Sequence, residues 1–281
     1  MKQKGKLYIV ATPIGNMDDI TIRAIRTLRE VDTVAAEDTR LTARLLSHHQ
    51  IDTPLISFHE HNESRRIALL TARMEAGESL ALVSDAGTPS VSDPGFRLVR
   101  AAVEKEIQVV PIPGASAAIT ALCAAGLPTD SFTFVGFPPK KKGKRRELLE
   151  NLKKEPRTLI FYESPLRISA FLSELKEILG ERYAVLGREL TKLHEEFIRG
   201  NLSEILQNLE NRAAVKGECT LLVSGAEEHE SLCPENLAQE IEKGLEAGLS
   251  ISDLSKSLAQ TFGISRKEIY ALALEVKGKN D

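Results

Sequence analysis

Two aspartates stand in an unusually long segment between a predicted strand and a predicted helix. The segment SDAGTPSVSDPGF, residues 84–96, follows the apolar run SLALV and precedes RLVRAAVEK, which has a helical pattern. A connection of this kind usually needs only a few residues, so its length favours a binding role over an ordinary connector. Asp85 and Asp93 would repel a phosphate, and neither GxGxxG nor GxxxxGK[ST] is present. Carboxylates suit ribose hydroxyls or a cation instead, and Gly87 lets a ligand approach the backbone closely.

Two further loops of small residues follow predicted strands. ATPIGN, residues 11–16, ends the first strand, and IPGASAA, residues 112–118, follows another strand and opens a helix. Ligands of open parallel sheets bind beyond the carboxyl ends of the strands. Each loop alone could be a simple turn, but three of them in one domain predict a site for a nucleoside-like cofactor.

Charged residues cluster after two predicted strands in the second half of the chain. FYESPLR and GRELTKLHEE place Glu163, Arg188 and Lys192 there, although structural ion pairs are an alternative use for them. His59 and His61 lack a third ligand at a known spacing and HExxH is absent, so no metal site is predicted.

The segment PPKKKGKRRE, residues 138–147, concentrates positive charge in a chain whose net charge is only −3. A solvated run of charges is the usual explanation of such a segment. Its place directly after a predicted strand favours contact with a nucleic-acid backbone instead. The predicted RNA-binding residues are Lys140, Lys141, Lys142, Lys144, Arg145 and Arg146.

The elements that position these residues follow an α/β pattern. Short apolar runs alternate with helical patterns, which predicts α/β domains with mostly parallel sheets. We expect one such domain at residues 1–113 and a second at 114–226. Residues 227–281 are predicted to form a linker and a small helix-turn-helix-like appendage, for which nucleic-acid contact and structural support are both open.

Composition is that of a globular protein of 281 residues, with 42% apolar residues and 27% charged ones. Three widely spaced cysteines show no disulfide framework, which fits a reducing compartment. The apolar run after the basic start is too short for a signal peptide, and nowhere do about eighteen apolar residues run together. We therefore expect a cytoplasmic protein that does not enter a membrane.

Seven motifs, taken in order, resemble those of the ribosomal RNA small-subunit methyltransferase I family, in the tetrapyrrole-methylase class of S-adenosylmethionine enzymes. They span about residues 5 to 225, and the helical tail resembles the C-terminal helix-turn-helix of that family. The motifs are LYIVATPIGNMDDIT, VAAEDTR, SFHEHNE, LVSDAGTPSVSDPG, VVPIPGAS, GFPPKKKGKR and IFYESPLR.

The resemblance implies S-adenosylmethionine-dependent 2′-O-methylation of a cytidine ribose in the decoding region of small-subunit (16S) ribosomal RNA. It implies a homodimer, an inter-domain cleft that holds the cofactor, and ribosomal RNA or the assembled small subunit as substrate. The sulfonium cation and ribose of the cofactor agree with the acidic loop. By motif matching, cofactor contacts would fall on Pro13, Ile14, Asp85, Gly87, Thr88, Ala115, Ser116, Phe161 and Tyr162.

Methyl transfer to a hydroxyl requires alignment and benefits from a general base or a nearby cation. Placement at strand ends makes Glu163 the candidate base, Lys192 a candidate cation or base, and Arg188 a candidate for holding a phosphate. Two rival functions stay open. One is C-methylation of a porphyrin precursor by an enzyme of the same class, and the other is a non-catalytic RNA-binding module. A basic loop would also suit the carboxylates of a porphyrin precursor, but the tail and the family-like segments SFHEHNE and FPPKKKGKR favour RNA. The intact sequence DAGTP argues against loss of the cofactor site.

Overall fold

A computed structural model describes residues 3–226, 234–262 and 265–280. The chain divides into two compact units, residues 1–226 and 227–281. Residues 227–233, the first part of the segment predicted as linker and helical appendage, lie outside the described residues. No helix in the described part of the chain is both long enough and apolar enough to cross a membrane.

The first sheet is fully parallel, with the strand order β3-β2-β4-β1-β5. Of its three inner strands, β2 and β4 are buried at every residue, which is expected when helices cover both faces of a sheet. All five carboxyl ends therefore meet at one edge. The strands are β1 (Lys6–Val10), β2 (Thr33–Ala36), β3 (Leu55–Ser57), β4 (Leu80–Val83) and β5 (Gln108–Ile112).

Four helices cover this sheet, two on each face. Leu28 of α1 and Leu45 of α2 pack on one face, and Leu70 of α3 and Leu98 of α4 pack on the other. The side chain of Asp38 begins α2 by accepting a hydrogen bond from the Arg40 amide at 2.8 Å. The helices are α1 (Ile22–Glu30), α2 (Thr39–His48), α3 (Glu63–Glu75) and α4 (Phe96–Glu104).

The second sheet is mixed, with the order β6-β7-β10-β8-β9. Only β6 and β7 pair in parallel, and the other three pairs are antiparallel. The prediction of two α/β domains is confirmed, but mostly parallel pairing holds for the first sheet alone. Strand β9 follows β8 after the short segment 189–195, so these strands form a hairpin. The strands are β6 (Phe132–Gly136), β7 (Thr158–Glu163), β8 (Tyr183–Arg188), β9 (Glu196–Asn201) and β10 (Cys219–Val223).

Helices cover both faces of the second sheet. Helices α6, α7 and α8 enclose the larger core on one face, whereas α5 packs on the other face through Ala121 and Leu122. Ile14, from the loop after β1, joins the α5 core, so this face of the second sheet meets the first sheet's loops. The helices are α5 (Ala117–Ala125), α6 (Lys142–Asn151), α7 (Ile168–Leu179) and α8 (Leu202–Glu210).

The described residues of the second compact unit form three helices, which agrees with the predicted helical appendage. They are α9 (Pro234–Glu246), α10 (Ile251–Phe262) and α11 (Arg266–Asn280). Ser250 accepts a hydrogen bond from the Asp253 amide at 3.1 Å where α10 begins. The core of this unit contains Leu237, Ile241, Leu254, Leu258, Ile269 and Ala273.

Candidate active site

A cleft of about 390 Å³ opens where the carboxyl ends of the first sheet face the α5 side of the second. Its walls come from the loop after β4, from the start of α5, from the end of β7 and from the start of β10. The residues that line it include Ile14, Glu37, Asp85, Gly87, Thr88, Asp93, Ser116, Phe137, Tyr162, Glu163 and Cys219.

Hydrogen bonds join the three predicted loops into one framework. The amide of Thr12 donates to the Gly87 carbonyl at 2.9 Å, and the Gly87 amide donates back to Thr12 at 3.0 Å. Thr88 Oγ1 donates to the Ala115 carbonyl at 3.2 Å. Gly87 has a φ of +80°, a conformation that glycine adopts without the steric cost of a Cβ. The loops after β1, β4 and β5 are therefore fixed against each other.

Three carboxyl groups from the first sheet face this cleft: Glu37, directly after β2, and Asp85 and Asp93 from the long loop. Burial and then the charges of Asp85 and Asp93 raise the pKa of Glu37 to about 7. Burial raises the pKa of Asp93 to about 6, where a hydrogen bond with Ser84 opposes the shift and the charge of Asp85 adds to it. Asp85 Oδ1 accepts a hydrogen bond from the Asp38 amide at 2.8 Å. Such mutually repelling carboxyl groups favour a cationic ligand.

Tyr162 forms the opposite wall. Its Oη accepts a hydrogen bond from the Ala118 amide at 3.1 Å, which satisfies a free N–H group at the start of α5. The rings of Phe134 and Phe137 meet the Tyr162 ring edge-on, at centroid distances of 5.1 and 5.5 Å. Burial raises the pKa of Tyr162, so its phenol is neutral at physiological pH.

The expectation that Phe161 lines the cleft is wrong. Phe161 is fully buried on the opposite face of β7, with its ring 5.2 Å from that of Phe171 in α7. Neighbouring residues of a strand point to opposite faces, so only one of Phe161 and Tyr162 could face the cleft.

Glu163 lies at the end of β7 with its carboxyl group oriented by two hydrogen bonds. Oε1 accepts them from the Ser164 amide at 2.7 Å and from Arg167 Nε at 2.8 Å. Within the described residues no donor is bonded to Oε2. The side chain of Glu163 is only 3% exposed. A hydroxyl group bound to Oε2 would therefore have little contact with water.

Lys192 and Arg188 both form ion pairs. Lys192 Nζ donates to Glu189 at 2.9 Å and to Glu218 at 3.0 Å. Burial lowers the pKa of Lys192, but the hydrogen bonds and charges of these two glutamates outweigh it and raise the pKa overall. Arg188 pairs with Glu196 at 3.0 Å and donates to the Lys216 carbonyl at 2.7 Å. Both side chains are thus already bound to other groups of the protein, and Lys192 also lies beside the loop after β1.

The basic loop divides into free and paired charges. Arg145 Nε donates to Glu174 at 2.6 Å, and the Glu174 side chain is only 8% exposed. Arg146 pairs with Glu177 at 2.8 Å. The charge of Arg145, predicted to contact RNA, therefore compensates a buried carboxylate and stabilises the packing of α6 on α7. The residues of this loop that stay exposed without such pairs, in the part of the chain that is described, are Lys140, Lys141, Lys142 and Lys144.

Several residues that line the cleft were not predicted from the sequence, and Glu37 and Cys219 are two of them. Glu37 follows β2 directly, and because β2 is a neighbour of β4 its carboxyl group comes to the same edge as Asp85. Cys219 begins β10 at the floor of the cleft. Burial raises the pKa of the Cys219 thiol to about 11, although the charge of Arg188 opposes this.

The fold and the cleft define a class of protein. The sequence model of the tetrapyrrole (corrin/porphyrin) methylases matches residues 6–206 of the chain. Among solved structures, a cobalt precorrin-4 methyltransferase covers 78% of this chain and 94% of its own length, with a TM-score of 0.60 at 17% identity. A uroporphyrin-III C-methyltransferase from Thermus thermophilus, complexed with S-adenosyl homocysteine, covers 78% of this chain and 97% of its own, with a TM-score of 0.55 at 18% identity.

Comparison with curated relatives identifies the family within this class. Ribosomal RNA small subunit methyltransferase I of Halalkalibacterium halodurans is 48% identical over 275 residues, which are 95% of this chain and 94% of the relative. The protein of the same name from Synechocystis sp. is 48% identical over 97% of this chain and 99% of its own. The chain therefore belongs to the ribosomal RNA small subunit methyltransferase I family, within the tetrapyrrole methylases.

The cofactor of this class is S-adenosylmethionine. The residues present fit it, because three carboxyl groups repel one another around a cavity where a cation would relieve the repulsion. A Cβ on Gly87 would meet Ile14 Cγ2 at 3.4 Å, an ordinary contact, so the φ of +80° is what favours glycine at this position.

Proposed function

We propose that the chain transfers the methyl group of S-adenosylmethionine to the 2′-hydroxyl of a cytidine ribose in the decoding region of small-subunit ribosomal RNA. The observation that carries the proposal is the near-complete alignment, at 48% identity, with relatives named for methylation of the small-subunit RNA. The carboxylate-lined cleft supports the choice of donor, and the exposed lysines after β6 support an anionic acceptor. We further propose that the chain acts as a homodimer on ribosomal RNA or on the assembled small subunit.

We propose that the cofactor site consists of the predicted loops and the carboxyl groups that face them. When bound, the cofactor supplies an electrophilic methyl group on a sulfonium centre. Glu37, Asp85 and Asp93 offer negative charge to that cation. The predicted contacts that line or support this site are Pro13, Ile14, Gly87, Thr88, Ala115, Ser116 and Tyr162.

Glu163 is our candidate for accepting the proton of the ribose hydroxyl. Arg167 and the Ser164 amide hold its Oε1, so the carboxyl group is oriented before the acceptor arrives. Oε2 would be placed to accept the proton that the ribose hydroxyl loses on methylation, while breaking of the C–S bond would leave the donor sulfur as a neutral thioether. Lys192 would lower the energy of negative charge near the acceptor, while Arg188 is held by Glu196 and is the weakest of the three catalytic candidates.

The proposal is tested by mapping ribose methylation of small-subunit ribosomal RNA by mass spectrometry, in cells with and without the protein. We expect one cytidine of the decoding region to lose its 2′-O-methyl group and to regain it when purified protein and S-adenosylmethionine are added. A porphyrin precursor, incubated in parallel with radiolabelled cofactor, should stay unlabelled. An unchanged RNA together with a labelled porphyrin precursor would favour the rival C-methyltransferase.

A further inference from the structure

A second pocket, of about 270 Å³, adjoins the cleft. Four residues line both cavities and so form the wall between them: Ile14, Asp85, Ala86 and Glu218. The far side of the second pocket belongs to the loop after β1 and to helix α2. A ligand in this pocket would therefore lie next to whatever occupies the cleft.

The charges of this pocket are separated by position. The two carboxylates, Asp85 and Glu218, belong to the shared wall, whereas Arg44 and Lys192 line only the second pocket. Lys192 is paired with Glu189 and Glu218. Arg44 is exposed and has no hydrogen bond or ion pair with any described residue. The pocket is thus acidic towards the cleft and has an available guanidinium on its outer side.

Two large apolar side chains complete the outer side. Met17 is 38% exposed and Leu41 is 43% exposed, and both line the pocket. Exposed apolar residues are ordinary one at a time, but here they stand beside an unpaired arginine. A nucleotide has matching parts: an anionic phosphate, an apolar base face, and ribose hydroxyls that donate hydrogen bonds to carboxylates.

We propose that the second pocket holds the backbone of the acceptor RNA next to the methylated nucleotide, with Arg44 pairing to a phosphate and the ribose turned towards Asp85 and the cleft. Arginine is suited to this contact because its planar guanidinium can donate two hydrogen bonds to one phosphate. The inference rests on the proposed function, since it takes RNA as the acceptor.

The test compares Arg44→Ala with Arg44→Lys and with the control Arg100→Ala. Arg100 is an exposed arginine of α4, on the opposite face of the first sheet, and pairs only with Glu104 among the described residues. The probe is unmodified small-subunit ribosomal RNA made by transcription, bound to the full chain at salt concentrations from about 50 to about 200 mM. Affinity for S-adenosylmethionine is measured separately by calorimetry.

We expect Arg44→Ala to weaken RNA binding roughly tenfold, as loss of a charged hydrogen bond does, and to lower the slope of log affinity against log salt by about one. Arg44→Lys should keep that slope, while Arg100→Ala and the cofactor affinity of all variants should match wild type. Equal losses for Arg44→Ala and Arg100→Ala, an unchanged RNA affinity of Arg44→Ala, or a weakened cofactor affinity would each overturn the inference. If the wild-type protein neither binds nor methylates this RNA or the assembled subunit, the proposed function itself fails.

Discussion

The backbone amide of Asn16 donates a hydrogen bond to Thr191 Oγ1 at 3.0 Å, and so joins the loop after β1 to the loop after β8. At the adjacent Gly15 the two loops are too close together for any side chain. A Cβ there would come within 2.5 Å of Lys192 Cγ, 2.7 Å of Thr191 Oγ1 and 2.9 Å of the Leu190 carbonyl. The two sheets' loops therefore meet at the second pocket at a distance that only glycine permits.

Gly15→Ala should consequently slow methyl transfer, because the new methyl group separates the loop that carries Ile14 from the loop that carries Lys192. A displacement of about 1 Å can cost roughly a hundredfold in rate. Single-turnover transfer to ribosomal RNA measures the effect. Gly143→Ala is the matched control, since a Cβ at Gly143 meets nothing within 4 Å. A Gly15→Ala protein as fast as this control would contradict the expectation.

Affinity for S-adenosylmethionine should rise with pH between about 5.5 and about 7.5. The pKa of Glu37 is raised to about 7 and that of Asp93 to about 6, so both carboxyl groups gain negative charge within this interval. Negative charge favours the sulfonium cation. Glu37→Gln should weaken binding at the upper end and remove much of the pH dependence there, as calorimetric titration would measure. A pH-independent affinity in the wild-type protein would exclude a direct role for these carboxylates.

The same carboxyl group should have the opposite effect on stability without cofactor. The pKa of Glu37 in the folded protein lies above its ordinary value of 4.5. The protonated carboxyl group therefore contributes fully to folding stability below pH 4.5, and this contribution is lost as the pH rises through about 7. We expect the melting temperature of the cofactor-free Glu37→Gln protein to exceed that of wild type above pH 7, since the substitution removes the cost of burying a carboxylate and then its repulsion with Asp85 and Asp93. Thermal unfolding followed by circular dichroism at several pH values tests this. A lower melting temperature for Glu37→Gln at the highest pH would contradict it.

Glu163→Gln should reduce the chemical step by roughly a hundredfold or more, the usual contribution of a general base. Glutamine keeps the shape and the Oε1 acceptor but cannot take a proton. Cofactor and RNA affinities should be nearly unchanged, so single-turnover rates at saturation isolate the effect. If Glu163→Gln and Lys192→Ala both transfer at close to the wild-type rate, neither residue is the base.

Substitutions in the basic loop should have two different effects, one on RNA binding and one on fold stability. Replacing Lys140, Lys141, Lys142 and Lys144 by glutamine should weaken RNA binding and its salt dependence, with an unchanged melting temperature. Arg145→Gln should instead destabilise the fold by about 3 kcal/mol, because it leaves the buried Glu174 carboxylate without its partner. Urea unfolding and RNA titration of both proteins give the two measurements. Equal stability of Arg145→Gln and wild type would restore Arg145 to the RNA-binding group.

The sequence predicted the position of a loop well where the loop directly follows a parallel strand. The loops after β1, β4 and β5 could be predicted to meet, because parallel strands bring their carboxyl ends to one edge. Glu37 follows β2 in the same way but stands in a segment without the Gly and Pro residues that mark a ligand loop. Its importance depends on burial and on the neighbouring carboxylates, which are properties of the folded chain.

The second sheet was harder to predict. EFIRGN, which forms β9, includes charged residues and a glycine, so its strand pattern is weak. Pairing direction also depends on which strands become neighbours, and β10 inserts between β7 and β8 from far along the chain. Similarly, the run of positive charges after β6 does not indicate that Arg145 pairs with Glu174, a buried carboxylate of α7.

Cys219 places a sulfur nucleophile in a cleft proposed to hold an alkylating agent. Burial raises the pKa of this thiol to about 11, so Cys219 is protonated at neutral pH. The thiolate, which is the nucleophilic form of that sulfur, is therefore a minor species at the place where the cleft is proposed to hold a methyl donor.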